Sequence, residues 1–83
     1  EDLKKQEMYV KNINYVKYSK IEDGSQMLVK IRYKHAGEMA TVYNENDNLK
    51  VIFHNKVQGI APGQSAAFYE DNDLVAGGFI MKT

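Results

Sequence analysis

Gln26-Met27-Leu28-Val29-Lys30-Ile31-Arg32-Tyr33-Lys34 is the stretch on which the fold turns. In an extended chain Met27, Val29, Ile31 and Tyr33 fall on one side, and Leu28, Lys30, Arg32 and Lys34 on the other. No helical period gathers the first set on one stripe, whereas a strand does so by simple alternation. One face is dry and the other basic. Asp23-Gly24, just before it, is a strong turn signal, because glycine accepts positive φ without a Cβ clash. This turn is expected to join Met8–Lys20 to Gln26–Lys34 as a hairpin.

The neighbouring text has the same character: short runs rich in Val, Ile, Tyr and Phe, separated by Gly, Asn and Asp clusters. In Met8–Lys20 the apolar phase slips from even positions (Met8, Val10) to odd ones (Ile13, Tyr15), as a β-bulge requires. Met39–Tyr43 and Leu49–Phe53 form a second hairpin through Asn44-Glu45-Asn46-Asp47-Asn48, whose side chains tolerate left-handed geometry. Ala61-Pro62-Gly63-Gln64 reads as a type II turn, with Pro62 fixing φ and Gly63 supplying the positive φ. Ala66–Tyr69 and Leu74–Ile80 then flank the acidic loop Glu70-Asp71-Asn72-Asp73. Gly77-Gly78 inside the last strand suggests a corner where a side chain would collide with a neighbouring strand. The expectation is an all-β protein, a small closed antiparallel barrel of six strands with no long open edge. Residues 1–7, charged and carrying one apolar side chain, are expected to be a linker remnant or a frayed helical turn before the barrel at 8–83.

Eighty-three residues suffice for one small domain. A chain this short hides only about 60% of its unfolded surface, leaving little room for an enclosed substrate cavity. Eleven basic and eleven acidic side chains cancel, so no whole-molecule field draws in a polyanion. The charge is uneven, with eight basic and five acidic residues in 1–37 against three and six in 38–83. The absence of cysteine excludes a disulfide framework, a thiolate zinc site and a cysteine nucleophile, and favours intracellular, cytoplasmic use. No apolar run approaches the ~20 residues of a membrane-spanning helix, so no membrane partner is expected. The chain opens at Glu1 without an initiator methionine, which we read as an excised segment.

Chemistry-bearing residues are sparse. His35 and His54 lie in different segments with no acidic residue at metal-ligand spacing and read as solvent-facing strand-end side chains. Ser19, Ser25 and Ser65 lack a nucleophile-elbow context, and Gly59-Ile60-Ala61-Pro62-Gly63 lacks the lysine and helix of a phosphate loop. Glu70–Asp73 is too short a ligand series for calcium. Lys30, Arg32 and Lys34 are the sharper feature. Alternate strand residues lie about 6.6–6.8 Å apart, comparable to phosphate spacing along one nucleic-acid strand, so the row can track an RNA backbone. It also serves as a solvated face whose lysine stems cover apolar neighbours, and both readings stay open.

Val57-Gln58-Gly59-Ile60-Ala61-Pro62-Gly63-Gln64-Ser65-Ala66-Ala67-Phe68-Tyr69, followed by Leu74-Val75-Ala76-Gly77-Gly78-Phe79-Ile80, resembles the C-terminal segment of bacterial tRNA-specific 2-thiouridylases. Lys30–Lys34, Ala40-Thr41-Val42 and Leu49–Phe53 resemble the same family in the same order. Asn12-Ile13-Asn14-Tyr15 stands at its first strand motif, with tyrosine where many members carry tryptophan. The resemblance runs from about Tyr9 to Ile80. It implies a barrel like domain 2 of translation elongation factors, packed beside a catalytic region and helping to hold tRNA.

The resemblance further implies a parent enzyme whose N-terminal part binds ATP and magnesium, activates the wobble uridine and delivers sulfur through a cysteine pair, supplied by a sulfur-carrier protein. This chain has neither the glycine- and serine-rich loop nor any cysteine, so no catalytic, cofactor-binding or metal-ligating residue carries over. The family is also labelled tRNA (5-methylaminomethyl-2-thiouridylate)-methyltransferase, a name these residues do not support. The expected role is tRNA positioning, with weak, salt-sensitive binding by the barrel alone. The alternative is a free-standing barrel that binds a protein through a strand edge. An enzyme in its own right is the weakest reading, since no titratable cluster supports it.

Overall fold

A computed structural model describes residues 4–31 and 36–81. Six strands follow in order: β1 (Lys4–Tyr15), β2 (Ser25–Lys30), β3 (Glu38–Glu45), β4 (Asn48–Gln58), β5 (Ser65–Glu70) and β6 (Asp73–Ile80). They close into a barrel in the order β1-β4-β3-β2-β5-β6. Every neighbouring pair is antiparallel. Alternation sets what points inward: Met27 and Val29 from β2, Ala40 and Val42 from β3, and Leu49, Val51 and Phe53 from β4 are all buried. No polar or charged side chain is buried among the described residues, so the interior is a sealed apolar core and not a binding cavity.

Two hairpins form as the sequence suggests. β3 and β4 pair down to Glu45↔Asn48, with Asn46 at φ 59° in the turn, and β5 and β6 pair down to Glu70↔Asp73, with Asp71 at φ 56°. Both loops are tighter than the sequence implied, because Asn and Asp supply the left-handed conformation themselves. The bulge in β1 is present as well. Its register against β6 shifts between Lys11 and Asn14, and Asn12 has φ 54°. Met8 and Val10 face the core before it, and Ile13 and Tyr15 pack against the core after it.

Three expectations are corrected. The first segment does not form a hairpin with β2; β1 pairs with β4 and β6. Beyond the bulge, the amides of Val16 and Lys17 both donate to the Val75 carbonyl, so the chain follows β6 to its end. It then crosses the barrel mouth, with Ile21 buried as a plug and Asn44 Nδ2 donating to the Ile21 carbonyl. Asp23-Gly24 therefore delivers the chain to β3: Gly24, at φ 83°, donates its amide to Val42 O.

The second concerns residues 1–7. Lys4 to Glu7 are not linker but the start of β1, paired with β4 from Lys4↔Gln58 to Glu7↔Ile52. β4 runs through Gln58, and its distal half needs a backbone partner. Glu7 also meets Lys50 of β4 at 3.3 Å. The third is the length of β2, whose strand stops at Lys30 with a bend at Ile31. Ile31 remains buried in the core, while Arg32, Tyr33, Lys34 and His35 lie outside the described residues.

Candidate functional site

Of the basic row, the structure places Lys30. It projects outward from β2 opposite Ala67 of β5, and its Nζ lies 4.9 Å from the centroid of the Tyr69 ring. The ammonium therefore sits over the aromatic face in a cation–π contact. Arg32 and Lys34 lie outside the described residues, as does His35. His54 is exposed on β4 with Nε2 3.3 Å from Thr41 Oγ1. Among the described residues no three metal-ligating side chains gather closely enough to hold an ion.

The acidic loop engages the crossing segment. Lys17 Nζ lies 2.9 Å from Glu70 Oε1 and 2.8 Å from Asp73 Oδ2, and Tyr18 donates its hydroxyl to the same Glu70 oxygen at 2.7 Å. The Lys17 ammonium, aided by that hydroxyl, holds the Glu70 carboxyl below the usual range, and the two carboxylates push Lys17 up. Tyr18 is raised in turn by its bond to Glu70. Beside this cluster a groove of about 450 Å³ opens between Tyr18, Ile21, Gln26, Met27 and Glu70. The sequence did not reveal it, because residues 16–24 read there as strand and turn. The signal that locates it, the hold of Asn44 on Ile21 and Asp23, is a contact across more than twenty positions.

The glycines and the proline have geometric roles. Gln64 N donates to Ala61 O across Pro62-Gly63, with Gly63 at φ 89°, as a type II turn requires. The Gly63 amide donates to Ile80 O, which ties this turn to the end of β6. Collision at the corner belongs to Gly78 alone: a Cβ there would lie 2.7 Å from Lys11 O and 2.6 Å from Val10 Cγ1. At Gly77 the nearest atom would be Ala66 O at 3.7 Å, an ordinary contact.

What this surface offers is a rigid scaffold with local polar and aromatic contacts. The aminomethyltransferase beta-barrel domain family matches residues 5–80. This chain belongs to that family. Three curated relatives of this barrel are tRNA-specific 2-thiouridylases. MnmA of Cytophaga hutchinsonii is 38% identical over 84 residues, covering 100% of this chain and 23% of the relative. MnmA 2 of Clostridium botulinum (strain Hall) is 37% identical, covering 96% of this chain and 23% of the relative. MnmA of Amoebophilus asiaticus is 38% identical, covering 96% and 22%. The barrel thus spans under a quarter of these relatives, and it corresponds to their C-terminal part.

Proposed function

We propose that this chain is the C-terminal barrel of a tRNA-specific 2-thiouridylase and helps to hold tRNA, while ATP-dependent sulfur transfer to the wobble uridine takes place in the rest of the polypeptide. The observation that carries the reading is the match along the whole chain to the C-terminal part of 2-thiouridylases. The sealed core agrees with a scaffold role, since it offers no interior site. On this reading ATP and magnesium would be bound by the rest of the parent enzyme. A sulfur-carrier protein would meet the parent in the same way, and its compartment would be the cytoplasm.

The contribution of such a barrel is positional. Fixing a large RNA so that one base reaches a distant active site removes orientational entropy from the reacting complex. Contacts of this kind go to backbone and shape. Lys30, followed in sequence by Arg32 and Lys34, supplies a local run of positive charge on a domain of zero net charge. In the full-length enzyme, Lys30→Glu is expected to raise the KM for tRNA about fivefold, the equivalent of roughly 1 kcal/mol. The KM for ATP should stay constant. An unchanged KM for tRNA would return Lys30 to the role of a solvated strand residue covering Tyr69.

A further inference from the structure

Outward-facing side chains on four strands form one continuous apolar row. Leu28 of β2 is directly opposite Met39 of β3 on one side and Tyr69 of β5 on the other, and Tyr69 is opposite Leu74 of β6. Met39 and Leu74, at the two ends, are each 40% exposed. A shallow groove of about 320 Å³ runs along Leu28, Met39 and Tyr69. Exposed apolar side chains are ordinary when scattered, but four in register across adjacent strands make a surface with a direction.

Next to this row Ala67 pairs with Gly77, leaving a low floor. Gly77 is not a glycine for the sake of the barrel, because a Cβ there has room and its φ is not positive. A strand glycine without an internal reason is what close approach from outside requires.

Charge decides what approaches. One flank of the row carries Lys30, and the opposite flank carries the turn with Glu70, Asp71 and Asp73, of which Glu70 and Asp73 share Lys17. A polyanion gains nothing from the apolar middle and is repelled at the acidic flank. A protein surface gains from both. Over three quarters of the relatives' length lies outside this barrel, and covalent connection gives such a segment a high effective concentration, so a modest patch suffices.

We propose that the Met39–Leu28–Tyr69–Leu74 row is the surface on which the preceding part of the same polypeptide docks, leaving the flank beyond Lys30 to RNA. This rests on the reading of the chain as the barrel of a longer enzyme. The test is photo-cross-linking in the full-length polypeptide, with p-benzoylphenylalanine replacing Leu74 or, separately, Met39. A control replaces exposed Asp47 in the β3–β4 turn, at the far end of β3 from Met39. Expected are intramolecular adducts from positions 39 and 74 to residues preceding Glu1, in a band of monomer size, undiminished by added tRNA and missing from the control. Adducts to tRNA, adducts between two copies, no adduct, or a coding sequence that begins within a few codons of Glu1 would each overturn the proposal. The tRNA KM of Lys30→Glu, measured on the same enzyme, separates the failures. A raised KM without the intramolecular adduct removes the docking surface and keeps the positioning role, and the adduct with an unchanged KM does the reverse.

Discussion

Gly78 of β6 and Lys11 of β1 approach so closely that a Cβ on the glycine would stand 2.7 Å from the Lys11 carbonyl oxygen. That oxygen is backbone, held by the sheet, and cannot swing aside as a side-chain tip would. Its neighbour Gly77 faces the opposite way with ordinary clearance.

Gly78→Ala is therefore expected to destabilise the barrel by about 1–3 kcal/mol, the usual cost of overpacking. For a domain of this size each kcal/mol lowers the melting temperature by about 4–8 °C. Gly77→Ala has no such cost and restricts the unfolded chain, so it should leave stability unchanged or raise it by up to about 1 kcal/mol. Thermal unfolding of the two variants side by side measures the difference, and equal losses would contradict the geometry.

The contrast also shows what the sequence can carry. Gly-Gly in an apolar strand signals a close approach, but which glycine faces the neighbour depends on strand phase, and the bulge in β6 between its pairings with Phe68 and Tyr69 alters that phase. The same limit explains the connectivity. The alternation of Met27, Val29 and Ile31 made β2 legible, and the Asn-rich and acidic loops made two hairpins legible, since these are local facts. The partners of β1 were not. They depend on Val16 and Lys17 bonding to Val75, nearly sixty residues away, and on Ile21 closing the barrel mouth. At the candidate site Lys30 was legible as a charge on the outer face. Its lodging over Tyr69 was not, because the two meet only through the β2–β5 pairing that closes the barrel.

The Lys17–Glu70 pair predicts an acid-sensitive increment of stability. Glu70 is held below its ordinary range in the folded state, chiefly by the hydrogen bond from Lys17 and then by that from Tyr18. A carboxyl depressed by folding contributes fully above its unfolded value of about 4.3 and loses that contribution as pH falls through the folded value. Lys17, raised by the same contacts, loses its share only in alkali. Glu70→Gln should accordingly melt below the wild type at neutral pH, and the gap should close at about pH 2. Because both groups are at the surface, added salt should narrow the neutral-pH gap as well. A gap independent of pH would mean that packing, not charge, is what the substitution disturbs.

Asn12 offers the most direct test of how the sequence sets the inward phase of β1. It sits at φ 54° inside the bulge, a conformation that asparagine tolerates and a β-branched residue resists. Asn12→Val should cost about 1–2 kcal/mol by forcing either strain or loss of the bulge, whereas Asn12→Gly should fall within about 0.5 kcal/mol of the wild type. The two outcomes for valine are distinguishable. Burial raises the Tyr15 hydroxyl above its ordinary value, and Tyr15 rests against the core only because the extra residue at the bulge shifts the phase. If valine abolishes the bulge, Ile13 and Tyr15 turn outward, and a titration that follows the assigned Tyr15 ring by NMR should find its phenol returned toward its ordinary range. If the bulge persists under strain, stability falls while that titration stays raised. Full stability in Asn12→Val would show that the left-handed geometry at residue 12 is not what places Tyr15 against the core.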